Sequence, residues 1–334
     1  MKLVSYNKDE QDQLAILEDG LLYDTDLLHP DLPVSMSMFL NYWDHVYAIT
    51  AAINKKLEDG KISRQQGIDN DLVEILPPVP HATSSRNAAA FRQHFTAYAD
   101  RAFILPEFDK NPIFYFKNHN CFQGPGDIIC MPGHLKKLDF ELQAAIVICK
   151  AGKNIKVADA DEYIGGYMIM NNINTRNFLS DEIAWGGSSA SGNGFATPIG
   201  PMLVTPDELE AYKVECKPNH TGNAYNLSMT CSVNGTPVSE GSLADMDWTF
   251  AEIIEQASYG VQLFPGDIIG SGAVGTGCFL ELNTTGKIND PDYKEQWLQE
   301  GDVVEMEIEG LGKLINTIVK EESELPDLEI ESLE

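Results

Sequence analysis

The sequence predicts an α+β fold dominated by β-structure, with a small leading α+β module, and three observations carry the prediction. Many short runs of β-branched and aromatic residues are bounded by Gly, Pro, Asn or Asp. Few segments space their apolar residues as a helix would. A proline-rich stretch around Pro77, Pro78 and Pro80 separates roughly the first 75 residues from the remainder. The chain's 334 residues suffice for one large domain and a smaller one.

In chain order, the apolar alternation in KLVSY and LAILEDG reads as a hairpin over residues 1–20, and LLYD continues it as a strand beyond Asp19 and Gly20. Residues 36–58 have helical periodicity and stop before Asp59 and Gly60. The aromatic residues of that segment, Phe39, Tyr42, Trp43 and Tyr47, read as packing. The body, residues 76–319, is strand-rich: PIFYFKN, AAIVICK, YIGGYMIMN, IGPMLVT, YNLSMTCSVNG, GDIIGSG, FLELN and DVVEMEIEGLGKLINTIV all have strand character. Helices are expected in NAAAFRQHFTAYADRA and TFAEIIEQASYG. The acidic residues 320–334, which include a proline, are expected to be a solvated or disordered tail.

A formal net charge of −28 repels DNA, RNA and anionic lipid, so neither a nucleic-acid nor a membrane partner is expected. No apolar run has the length of a membrane span, no signal peptide is legible, and the expected address is the cytoplasm. Six cysteines without a CxxC pair read as reduced thiols. Gly270-Ser-Gly-Ala-Val-Gly275 matches GxGxxG, but CFLELN after it reads as a strand rather than a helix, which argues against a dinucleotide site. The serine cluster Gly187-Ser-Ser-Ala-Ser-Gly192 lacks the GxSxG of a nucleophile elbow. The seven histidines show no zinc spacing.

Several blocks in order carry a more specific signal. LDFELQAAIVICKAGKNI at 138–155 places Glu141 and Gln143 two apart on a strand, where both side chains share a face. ADEYIGGYMIMNNINTRNF, PMLVTPDELE, VNGTPVSEG, LFPGDIIGSGAVGTGCFLELN and WLQEGDVVEMEIEGLGKLINTIV follow, and FRQH at 91–94 precedes them. From about residue 75 to 319 this succession resembles the fumarylacetoacetate hydrolase family. The resemblance implies a mixed, rolled β-sheet around a central pocket, a homodimer, and a small-molecule substrate, a β-diketo or 2-oxo acid. It also implies a Mg²⁺ or Ca²⁺ ion held by four carboxylates, and a histidine–glutamate pair that activates water.

Position by position, the resemblance makes His94 and Glu281 the catalytic pair. The metal positions fall on Asn87, Glu141, Gln143 and Asn172, so that one carboxylate stands where the family has four. The substrate-binding positions fall on Arg176, Asn193 (a lysine in the family) and Ala273 (a threonine). Four carboxylates aimed at one point repel one another unless a cation separates them, and exchanging Asp for Asn and Glu for Gln relieves that repulsion while keeping shape. The expected cofactor state is therefore no metal, or Mg²⁺ or Ca²⁺ bound weakly. The amides serve either as satisfied buried groups or as substrate contacts, and Arg176 is the expected partner of Glu141 as an ion pair or a substrate clamp. His94 is either an acid–base residue or a packing histidine. Three functions stay open: acid–base chemistry on an oxo or polyketide-like acid (C–C cleavage, tautomerisation, decarboxylation or cyclisation), a conventional metal-dependent C–C bond hydrolase, and a non-catalytic binding or assembly subunit.

Overall fold

A computed structural model of the protein describes residues 1–97, 108–178 and 190–322. The expectations for Ser188 and Ser189, for most of the acidic tail, and for a helix continuing through 98–102 lie outside the described residues.

Asp9 and Glu10, and again Asp19 and Gly20, take positive φ (53°, 64°, 50° and 76°), the two-residue turn geometry whose twist matches that of paired strands. These turns fold β1 (Lys2–Lys8), β2 (Gln11–Glu18) and β3 (Leu21–Asp24) into an antiparallel meander. The helix expected over 36–58 is divided at Tyr42 into α1 (Met36–Asn41) and α2 (Trp43–Glu58). Phe39 meets Trp43 edge to face at 5.7 Å, and Trp43 stacks on Tyr47 at 4.7 Å. These rings pack.

A short β4 (Ile68–Asp69) is followed by β5 (Ser84–Ala88), α3 (Arg92–Thr96), β6 (Phe114–Lys117), β7 (Gly126–Cys130) and β8 (Leu142–Ile148). Next come β9 (Ile164–Asn171), β10 (Thr197–Val204), β11 (Ser228–Val233), β12 (Thr236–Ser242) and α4 (Phe250–Ser258). The chain continues through β13 (Asp267–Gly270), α5 (Phe279–Asn289), β14 (Val303–Ile308) and β15 (Gly312–Lys320). The larger sheet runs β4-β3-β2-β1-β10-β9-β8-β13-β5-β6, and a second runs β12-β11-β14-β15-β7. Both are mixed, since β13 pairs with β5, and β15 with β7, in parallel among antiparallel neighbours. The leading strands enter the same sheet as the body, through β1 against β10.

β8 shows why its sequence is apolar without alternation. All of its side chains are buried. Ala144, Ile146 and Ile148 enter a core with Met229, Met306 and Leu314 of the second sheet. Ala145 and Val147 enter another core with Phe39, Leu40 and Val46 of α1 and α2. A strand covered on both faces shows no polar–apolar alternation, and in β8 Gln143 alone interrupts the apolar run.

The segment CFLELN, expected as a strand, begins helix α5. Two groups start that helix. Cys278 at the N-cap accepts from Glu281 N at 3.4 Å, and the distant Asp139 carboxylate accepts from Phe279 N at 2.7 Å and Leu280 N at 3.1 Å. Amides left open at a helix start seek such acceptors. GxGxxG therefore does sit between a strand and a helix, but Asp139 already fills the anion position, so the helix start offers no place to a pyrophosphate. The glycines serve close approach instead. A Cβ on Gly275 would lie 2.2 Å from the Gln93 side chain, and one on Gly270 would lie 2.4 Å from Asn87 Oδ1.

Candidate active site

Register brings the sequence-singled residues together at one end of the larger sheet. Gln143 faces Met170 across β8 and β9, Ala145 faces Gly270, Gly270 faces Asn87, and Asn87 faces Tyr115. Asn172 follows the end of β9, and its amide donates to the Glu141 carbonyl. The loop from Ser271 to Cys278 folds back on the start of β8 through Val274 N to Leu142 O (3.1 Å) and Leu142 N to Gly277 O (2.9 Å).

His94 lies on α3, whose first turn is pinned by Arg92 N donating to Asp247 Oδ2 (2.7 Å). Its Nδ1 is 2.9 Å from Glu281 Oε2, and both side chains are buried. Glu281 Oε1 accepts from Thr276 N at 2.8 Å, on a loop where Thr276 takes φ of 67°. A carboxylate oxygen only accepts, so the imidazole donates to Glu281 from Nδ1. Cys278 Sγ lies in the same cluster, its donor atom within 4.8 Å of those of His94 and Glu281.

The second cluster is built on Glu141. Its Oε2 accepts from Gln143 Nε2 (2.8 Å) and from Asn172 Nδ2 (2.6 Å), and its Oε1 from an Arg176 nitrogen (2.9 Å). Arg176 also donates through Nε to Asp139 Oδ2 at 2.9 Å. Burial raises the Glu141 pKa, but Arg176, His94 and the Asn172 amide together outweigh it and hold the carboxyl below its ordinary value. Asn87 donates to the Tyr115 hydroxyl (2.8 Å), which also meets Asn172. Asn87 Oδ1 and Gln143 Oε1 are buried without a hydrogen-bond partner.

Sequence reasoning missed several participants. Lys117 is buried, and its ammonium donates to Asn172 Oδ1 and to the Asn193 main-chain oxygen. Burial pushes it down to about 8 from 10.5. The available signal was a lysine two residues from Tyr115 in an otherwise apolar strand, on the same face. Asp139 carried the same signal relative to Glu141. Cys278 and Thr276 had none, because only the turn before α5 brings them in. Asn193 contributes its carbonyl to this cluster, and Ala273 is buried in the loop after β13.

A buried imidazole–carboxylate pair beside a polar cluster, on mixed sheets, is the equipment of a protein able to do acid–base chemistry on small molecules. The chain belongs to the fumarylacetoacetate hydrolase family, whose model, described as fumarylacetoacetate (FAA) hydrolase C-terminal, matches residues 85–319. Its relatives include the mitochondrial oxaloacetate tautomerase Fahd2a of Rattus norvegicus, 32% identical over 213 residues, which is 63% of this chain and 59% of the relative. The fumarylacetoacetate hydrolase domain-containing protein 2 homolog of Dictyostelium discoideum is 28% identical over 95% of this chain and 97% of its own length. The chain thus aligns with about three fifths of the rat relative but nearly all of the Dictyostelium one.

Solved structures share the fold. A fumarylacetoacetate hydrolase from Exiguobacterium antarcticum superposes with TM-score 0.68 at 22% identity, over 96% of this chain and 100% of that one. Maleylpyruvate hydrolase from Sphingobium sp. SYK-6, in complex with manganese(II) and pyruvate, does so with TM-score 0.67 at 18% identity, over 96% and 99%. Among the described residues, no helix is long and apolar enough to cross a membrane.

Proposed function

We propose that this protein interconverts keto and enol forms of a small 2-oxo acid, of the oxaloacetate type, by proton transfer through His94 and Glu281. The 2.9 Å contact between His94 Nδ1 and Glu281 Oε2 is the observation that supports this reading. With Nδ1 committed to the carboxylate, Nε2 takes the proton from the carbon beside the keto group and returns a proton to the enolate. Glu281 stabilises the imidazolium formed on the way, and the Thr276 amide keeps its carboxylate turned toward the ring. The rat relative's name, oxaloacetate tautomerase, supports the substrate class.

The residues in the family's metal positions do not fit a divalent ion. Mg²⁺ and Ca²⁺ require several oxygen ligands with negative charge among them. Both Glu141 oxygens already accept N–H groups and Asn172 Oδ1 accepts from Lys117, which leaves two neutral amide oxygens, Asn87 Oδ1 and Gln143 Oε1, unspent at these positions. Arg176 already pairs with Glu141 and Asp139, and Asp139 also accepts the first amides of α5, so little net attraction for a dication is left. No step of the reaction is therefore assigned to an ion.

The decay of oxaloacetate enol absorbance, followed with protein kept in EDTA, tests the reading. Turnover should survive the chelator and fall about 10²–10⁴-fold in His94→Ala. Activity abolished by EDTA and restored by Mg²⁺ would overturn it.

A further inference from the structure

Neither the acid–base pair nor the ion-pair network accounts for Lys117. It ends β6 at the edge of the larger sheet, yet it is 6% exposed. Its two acceptors, Asn172 Oδ1 and the Asn193 carbonyl, are neutral. Among the described residues it forms no ion pair, and the Glu141 carboxylate acts on it only from longer range. Arg176, by contrast, is held by two carboxylates. A buried ammonium is costly unless a negative partner compensates it, and buried lysines are ordinarily paired. Lys117 also has three N–H donors and spends two.

Unspent acceptors belong to the same cluster. Asn87 Oδ1 and Gln143 Oε1 are buried without partners. They converge at Gly270, where a Cβ would lie 2.4 Å from the first and 3.0 Å from the second. The Tyr115 hydroxyl joins Asn87 to Asn172, and Asn172 joins Lys117 to Glu141. An unspent cationic donor and two unspent acceptors match a ligand with one anionic oxygen and one hydroxyl. The enol form of a 2-oxo acid has both.

We propose that Lys117 binds the anionic oxygen of the oxo-acid substrate with a positive charge supplied by the chain itself. This rests on the reading of the site as one for a small oxo acid. The Lys117 charge is fixed on a short strand and held by two hydrogen bonds, so it stabilises an enolate without reorganising. Asn87 Oδ1 and Gln143 Oε1 can accept from the enol hydroxyl, a contact that the one between Lys117 and the anionic oxygen does not require.

Oxalate, a planar dianion shaped like an enolate, is the probe, titrated calorimetrically in EDTA. Wild-type protein should bind it, and Lys117→Met should weaken binding at least about tenfold. Lys117→Gln keeps an N–H donor for Asn172 and Asn193 but removes the charge, so it guards against a folding defect and should lose affinity equally. No binding to wild type at millimolar oxalate overturns the proposal, and so does unchanged affinity in either variant. The outcome is separable from the tautomerase reading. His94-dependent turnover with Lys117-independent oxalate binding defeats only the Lys117 assignment, whereas Lys117-dependent binding without His94-dependent turnover defeats only the reaction.

Discussion

The two halves of the site have treated charge in opposite ways. At the α3–α5 end, His94 and Glu281 face each other with one hydrogen bond between them, and the carboxylate's second oxygen rests on a backbone amide. At the β8–β9 end, Glu141 is surrounded: two amides and a guanidinium bind its oxygens, and Asp139 shares the guanidinium. The first arrangement orients the imidazole through a single carboxylate contact. The second satisfies its own charge from within the chain. Within one family frame, a histidine–glutamate pair thus lies beside an internal ion pair and amide network.

The contrast can be broken most forcefully at Arg176. Arg176→Met strands Asp139 and Glu141 as buried carboxylates without their cation, and the expected loss is about 3–5 kcal/mol in chemical denaturation. A loss below about 1 kcal/mol would mean that the network is not what neutralises this end. Glu281→Gln addresses the other half. It should reduce turnover about 10²–10³-fold by failing to stabilise the imidazolium, with the denaturation midpoint little changed. A large loss of stability instead would make Glu281 structural.

Converting the second half back sharpens the comparison further. With Asn87→Asp, Gln143→Glu and Asn172→Asp combined, the cluster regains carboxylates that demand a cation. Mn²⁺ at a hundredfold its Kd should then raise stability by about 2.7 kcal/mol, while the wild type should not respond. No Mn²⁺ effect on the triple variant would show that Lys117 and Arg176 alone exclude the ion. The smallest effect concerns pH. The folded Glu141 carboxyl sits below its ordinary 4.5, so its contribution is complete above that value and is lost as pH falls through the lower folded one. The stability gap between wild type and Glu141→Gln should hold steady from pH 7 to 5, within about 0.5 kcal/mol, and close only in stronger acid. A gap already closing at pH 6 would contradict the assignment.

Much of this was legible before any coordinates. The apolar runs of β8 and β9, the turn at Asp19 and Gly20, and the α4 segment all carried local signals strong enough to read. So did the pairing of Glu141 with Arg176, because a lone acid on an apolar strand demands a cation. CFLELN did not read correctly. Its apolar pattern suits a strand, and it becomes a helix because the Asp139 carboxylate, about 140 residues earlier, receives its first amides. Lys117 was passed over because a lysine at the end of a strand usually points to water.

The sequence by itself determined which chemical groups are available. It supplied a histidine and a glutamate, a carboxylate with amides near it, and apolar strands able to bury them. Tertiary structure decided how those groups spend their hydrogen bonds. Which oxygen of Glu141 meets which amide, and that a lysine arrives from the sheet edge without a carboxylate, depend on strand register across residues far apart in the chain. Composition fixes charge, but burial and geometry set what that charge can do, because a group's energy inside a protein depends on its partners at a few ångströms.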